Sequence, residues 1–181
     1  VCAYKDGVSI DTSMGFSAQS GLIQSTRTGD IDAFVIPYIM KKKGISMDEA
    51  FTELSSNGGL KGLSGTSGDM RDILESIEKG DRGAKLAREK YIYDIKFYMG
   101  AYIFLMKGVD AVVFTGGMGQ KDPQLREETL SHLEFMGFRL DAAANARNAG
   151  RIDAADSKIA ALVIETNEEL IVARETAKVA G

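Results

Sequence analysis

The apolar positions of this chain follow two rhythms. At the start, VCAYKDGVSIDTS alternates apolar and polar residues on both sides of Lys5-Asp6-Gly7. Asp-Gly between two such runs is a strong hairpin signal, so two antiparallel strands are predicted. Ala111 to Phe114 is instead an unbroken apolar run, too short for a helix and rich in branched side chains. It predicts a strand buried on both faces of a sheet. Ile159 to Ile164 reads as a second fully buried strand, and Phe138 to Asp141 as a short one.

Between these runs the period becomes helical. Asp30 to Lys43 has an apolar body of Phe34, Ile36, Tyr38, Ile39 and Met40, with three lysines at its C-terminal end complementing the dipole. Pro37 falls inside this pattern and predicts either a kink or the true start of the helix. Ser46 with Glu49 three residues on has capping-box spacing and opens a short amphipathic helix to Leu54, which Asn57-Gly58-Gly59 stops. Leu60 to Gly68 reads as a small-residue loop that ends at a helix start, Asp69 to Ile73. A long helix from Gly83 to Lys107 is amphipathic at first and then apolar nearly all round. Burial by a sheet, neighbouring helices or a second subunit is expected of it. Ala142 to Asp156 is an alanine- and asparagine-rich connection, and Thr166-Asn167-Glu168-Glu169 caps a final helix to Ala180. The order β, β, helices, β, α, β, α predicts one α/β domain with a mixed sheet flanked by helices.

Composition narrows the possible chemistry. At 181 residues the chain is long enough for one domain with a sizeable core. Its net charge of -4 argues against electrostatically driven nucleic-acid binding, which needs clustered Lys and Arg. One cysteine, Cys2, and one histidine, His132, allow no internal disulfide and no Cys/His metal set or nucleophile pair. No apolar run approaches the roughly 18 residues of a membrane span, and no signal-peptide pattern opens the chain, so a cytoplasmic protein is expected. Val1 stands in the middle of a strand pattern, as expected of an excised piece.

Four stretches carry candidate chemistry. Thr115-Gly116-Gly117-Met118-Gly119 is a glycine turn between the central strand and a helix opened by Asp122 as N-cap and Pro123. Strand, glycine turn and helix make a nucleotide-site geometry, although tight β-to-α connections share it and the spacing is neither GxGxxG nor GxxxxGK[ST]. Arg27, inside TRTGDID, sits on a polar loop from Met14 to Ile31, and loops of this kind often hold functional groups. Asp69, Met70 and Arg71 open a helix whose N-terminus favours anions, and an arginine fork there suits phosphate or carboxylate. A capped helix with a surface arginine explains the same spacing. Glu168 and Glu169 satisfy the dipole of the last helix and are also hard oxygen ligands of the type Mg²⁺ uses.

In order along the chain, DTSMGF at Asp11, TRTGDID at Thr26, GDMRDI at Gly68, DAVVFTGGMG at Asp110 and TNEELIVARET at Thr166 resemble the acetate kinases. These are short-chain carboxylate phosphotransferases of the actin and sugar-kinase superfamily. The resemblance implies a ribonuclease-H-like (actin-like ATPase) fold, with residues 1–181 as the C-terminal nucleotide-binding domain. It implies reversible phosphoryl transfer from ATP to acetate, giving acetyl phosphate and ADP, with Mg²⁺ as cofactor and a homodimer as the assembly. Arg27 then looks like the arginine that stabilises the transferring phosphoryl group. Asp69, Met70 and Arg71 look like a nucleotide-contacting stretch. Gly117, Met118, Gly119, Gln120 and Lys121 resemble the adenosine segment, and Glu168 resembles the carboxylate associated with Mg²⁺. The family's GIGEN reads Gly-Met-Gly-Gln-Lys here, and its TPLEGL reads Ser17-Ala18-Gln19-Ser20-Gly21-Leu22. The resemblance also implies a phosphate loop just before Val1 and an N-terminal domain with a catalytic aspartate and acyl pocket, so the chain alone is expected to be inactive. The rival reading is a non-catalytic nucleotide-binding or dimerisation module of the same fold; within the enzyme class, a propionate or butyrate kinase is the alternative.

Overall fold

The opening alternation forms the predicted hairpin: strand β1 (Cys2–Lys5) pairs antiparallel with β2 (Val8–Thr12), and Asp6 and Gly7 both take positive φ in the turn. The structure is a computed structural model that describes residues 1–180 apart from the side chain of Glu168. The chain falls into two units, Val1–Gly108 and Val109–Gly181.

In the first unit, helix α1 (Val35–Lys43) begins later than the apolar pattern suggests, and Pro37 sits in its first turn rather than kinking it. Proline's missing N–H costs nothing there, because the first-turn amides have no partner within the helix. Helix α2 (Met47–Ser56) carries the predicted capping box, with both the Ser46 side chain and the Glu49 side chain closing their reciprocal bonds. The stretch expected as a loop from Leu60 is instead a short helix, α3 (Gly59–Ser64), with Leu60 fully buried. It packs against the long helix, so a tertiary contact outweighs a weak local propensity. Helix α4 (Met70–Glu78) follows its Asp69 cap.

Helix α5 (Arg82–Met106) is capped by Asp81, whose side chain accepts from Ala84 N at 2.7 Å. Its inner face, with Ala84, Ala87, Ile92 and Ile95, is buried. Its outer face is not: Tyr93 is 62% exposed, Phe97 60% and Phe104 84%. The all-round apolar composition therefore does not mean all-round burial within the chain, because α3 and α4 cover only one side.

In the second unit, β3 (Ala111–Phe114) runs to a six-residue helix, α6 (Gly116–Lys121), and then to α7 (Pro123–Leu130). A 3-10 turn (Ser131–Met136) and helix α8 (Ala142–Ala146) lead to β4 (Ala160–Val163), which pairs parallel with β3 in the register Ala111↔Ala160 to Phe114↔Val163. Helix α9 (Glu168–Ala180) ends the described chain. The class is α/β, with one antiparallel and one parallel two-stranded sheet among the described residues. Strand β3 is not buried on both faces, since Val113 remains 49% exposed and Ala111 is exposed too. An apolar run specifies a strand but not how many neighbours cover it. The expected strand at Phe138 to Asp141 reduces to an isolated bridge, Leu140↔Asp153. Among the described residues, no helix is long and apolar enough to cross a membrane.

Candidate functional site

Arg27 lies on a loop whose backbone is fixed from several sides of the first unit. Gln24 N donates to Arg27 O at 3.0 Å, closing a turn around the arginine. The carbonyls of Gln24, Ser25 and Thr26 accept from the amides of Leu60, Lys61 and Gly58 at 2.8 to 2.9 Å, and Thr28 N donates to Leu54 O. The loop is thus laced to the end of α2 and the start of α3. Two glycines permit this approach. A Cβ on Gly59, which has φ +60°, would stand 2.0 Å from Gln24 O, and one on Gly68 would stand 2.5 Å from Ser25 O. Both distances lie far inside van der Waals contact, so the loop depends on side-chain-free backbone beneath it.

Helix α5 holds both ends of the same loop. The buried Asp94 carboxylate accepts from Ile23 N at 3.1 Å and pairs with Lys90. Farther along, Tyr98 Oη donates to Asp30, whose other oxygen accepts from Gly21 N at 2.8 Å. Burial first, and the bond to Asp30 second, push the Tyr98 hydroxyl well above its ordinary pKa, so it stays a donor. Against this rigid backbone the Arg27 side chain is exposed, and its guanidinium makes one long bond, Nη1 to Ala18 O at 3.4 Å. A fixed base with an unsatisfied fork is suited to an anion that arrives from outside.

Asp69 and Arg71 share the first unit with Arg27, and Gly68 links them to its loop through the Ser25 approach. Asp69 caps α4 by accepting from Arg71 N at 2.9 Å. The Arg71 fork closes on the same carboxylate, with Nε at 3.0 Å and Nη2 at 2.6 Å. Those hydrogen bonds lower the Asp69 carboxyl to about 2, the side-chain bond from Arg71 contributing most. Met70 between them is buried, its sulfur accepting from Arg88. A cleft of about 520 Å³, lined in part by Gln19, Asp30, Ile36, Phe51 and Thr52, opens beside the loop; neither Arg27 nor Arg71 lines it.

Gly117, Met118, Gly119, Gln120 and Lys121 belong to the second unit. They form most of α6 rather than an open turn, because Gly116 takes φ +70° and reverses the chain directly out of β3. Gly119 packs on Phe114, where a Cβ would meet the strand side chain at 3.4 Å, while Gly116 and Gly117 face open space. Gln120 Nε2 donates to Ile164 O at 3.2 Å, tying α6 to the end of β4. An ionised glutamate could not donate that bond. Asp122 caps α7 as predicted, accepting from Leu125 N at 2.8 Å, with Pro123 in the first turn.

Arg126 is a residue that sequence reasoning passed over. Its exposure is zero, yet every hydrogen bond it donates ends on a neutral oxygen. The signal was present: Leu125, Arg126, Thr129 and Leu130 form the buried stripe of α7 at helical spacing, and a cation on such a stripe needs an explanation. Glu168 starts α9, and its side chain lies outside the described residues. No group of three or more His, Cys, Asp or Glu side chains that could hold a metal occurs among the described residues.

Comparison with known proteins places the chain among relatives that it matches over nearly all of its length. The family model of the acetokinase family matches residues 1–174. The acetate kinase of Thermotoga maritima is 46% identical over 184 residues, an alignment covering 99% of this chain and 46% of that protein. The crystal structure of Porphyromonas gingivalis acetate kinase superposes with a TM-score of 0.90 at 36% identity, covering 99% of this chain and 46% of the other. A propionate kinase from Francisella tularensis superposes with a TM-score of 0.88 at 37% identity, covering 96% and 45%. The chain spans about half the length of the relatives it matches.

Proposed function

Because the chain belongs to the acetokinase family, we propose that it is the nucleotide-binding part of an acetate kinase, which moves the γ-phosphoryl group of ATP to acetate and back. A carboxylate oxygen of acetate attacks the γ-phosphorus, the bond from that phosphorus to the β,γ-bridging oxygen breaks, and acetyl phosphate and ADP result with no net proton transfer. The first unit contributes Arg27, whose guanidinium neutralises charge on the equatorial oxygens of the transferring group, and the Asp69-Met70-Arg71 stretch as nucleotide contact. The second contributes α6, which offers glycine backbone to the adenosine. Mg²⁺, for which Glu168 is the ligand we assign, supplies charge neutralisation on the phosphates when bound. Such chemistry asks a protein mainly for positioning and for positive charge.

The observation that carries this reading is Arg27 itself: a solvent-facing guanidinium with one long bond, on a backbone fixed from α2, α3 and α5. Trapping acyl phosphate with hydroxylamine after incubation with acetate and MgATP tests it. Hydroxamate that depends on both substrates is expected, and its absence from the intact enzyme containing this chain contradicts the reading. A second reading, a propionate kinase, draws support from the Francisella tularensis structure, whose 37% identity to this chain is close to the 36% of the Porphyromonas gingivalis acetate kinase structure. Competition between acetate and propionate in the same assay decides it. We place the reaction in the cytoplasm and the assembly as a homodimer through the exposed Tyr93, Phe97 and Phe104 face of α5; a monomer in sedimentation equilibrium would refute the latter.

A further inference from the structure

Helix α6 has six residues, too few to be stable in isolation, and a Cβ added at Gly116 or Gly117 would meet nothing within 4 Å. Something else must set where its backbone lies. Arg126 donates from Nη1 to Gly119 O at 2.8 Å and Gln120 O at 2.9 Å, taking up carbonyls at the C-terminal end of α6. Its Nε and Nη2 turn the other way, to Asn145 Oδ1 and O at 2.8 Å and to Asn148 Oδ1 at 2.6 Å. Asn145 Nδ2 in turn donates to Pro123 O at 2.8 Å, so the asparagine that receives the guanidinium is itself held by the start of α7. One buried cation therefore locks α6 to α7 and α8. Burial pulls its guanidinium below the ordinary arginine value, but arginine remains charged at neutral pH. A hydrophobic residue of similar volume would fill the space without that desolvation cost. What it would not do is fix two carbonyls of a glycine-rich helix.

We propose that Arg126 is the positioning residue of the adenosine-contacting segment: its planar fork holds α6 at the register that a nucleotide needs, and nucleotide affinity depends on that cage. The inference rests on the functional reading above. Lysine keeps the charge but offers one nitrogen where the guanidinium serves five acceptor contacts. Asn148 has φ 53°, a conformation glycine adopts freely, so Asn148→Gly removes one acceptor with little backbone cost.

The test is MgATP titration of the full chain by calorimetry, with hydrogen exchange on the same samples. Arg126→Lys is expected to weaken MgATP by about tenfold and Asn148→Gly by about threefold, the size of losing charged hydrogen bonds that position rather than touch the ligand. Exchange of the Asp122 amide, bonded to Met118 O, should quicken in both, while the Ile164 amide, bonded to Phe114 O, keeps its wild-type rate. If both folded variants bind within about twofold of wild type, the inference is wrong. It is also wrong if the two amides quicken together and affinity is unchanged, the pattern of a purely structural arginine. Should Arg126→Lys not fold, Asn148→Gly decides alone. Absence of MgATP binding by the wild-type chain is a different failure, overturning the assignment of a nucleotide surface to α6 and this inference with it, whereas the acyl-phosphate assay on the intact enzyme decides the functional reading.

Discussion

The Arg27 loop and helix α6 are held in opposite ways. The loop is fixed by many small constraints: carbonyls laced to α2 and α3, the Asp94 and Asp30 carboxylates anchored on α5, and glycine backbone pressed against it at Gly59 and Gly68. Helix α6 hangs on few, chiefly one buried guanidinium and the Gln120 bond to Ile164 O, with open space over Gly116 and Gly117. The contrast fits two different tasks. A group that must meet developing charge needs a base that does not yield, because small misplacements are expensive in rate. A backbone surface for a planar ligand needs room above it more than rigidity around it.

The largest effect expected is on rate. Arg27→Ala should lower acyl-phosphate formation by about 10³-fold and leave the urea midpoint unchanged, because the side chain is exposed and weakly bonded. An unchanged rate would remove Arg27 from the chemistry. Next comes a substitution made once in each region. Gly59→Ala places a Cβ 2.0 Å from Gln24 O at positive φ and should cost about 3 kcal/mol by chemical denaturation. Gly117→Ala meets nothing within 4 Å and should be neutral or stabilising by up to about 1 kcal/mol. Equal costs at the two glycines would erase the distinction between the regions. The smallest effect concerns Asp69, whose carboxyl sits at about 2 in the fold against an ordinary 3.8. A depressed carboxyl stabilises the fold above its unfolded value and loses that contribution as pH falls through the folded one. Asp69→Asn should therefore lower stability slightly at neutral pH, where the carboxylate's contribution is fully present, and converge with the wild type near pH 2, which flattens the acid limb between about pH 4 and pH 2; an acid limb as steep as the wild type's would show that the carboxylate does not stabilise the fold.

Local signals survive the comparison between sequence and structure better than tertiary ones. The Ser46 and Glu49 capping box, Asp122 with Pro123 and the Asp6-Gly7 turn each depend on residues a few positions apart, and each forms as its spacing predicts. Helices α3 and α6 were hidden because Gly58, Gly59, Gly116 and Gly117 read as breakers, whereas packing on α5 and on Phe114 overrides their poor propensity. Strand β3 was legible as a strand but not as a half-exposed one, since its neighbours are decided elsewhere. At the candidate site, Arg27 stood out through its motif, while the residues that fix it did not. Tyr98 lies 68 positions from Asp30, and Asp94 lies 71 from Ile23, beyond any periodicity. Arg126 was legible in principle from its place on an apolar stripe.

The central claim is that this chain presents a nucleotide-binding surface at α6, and calorimetric titration of the chain and of Gly117→Val with MgATP tests it most directly. Because Gly117 has open space around it, valine there should leave the melting temperature unchanged while covering the surface. Saturable binding by the wild type, strengthened by Mg²⁺ and lost in Gly117→Val, is the predicted result. No binding by the wild type, or equal binding by a folded Gly117→Val, would contradict the account.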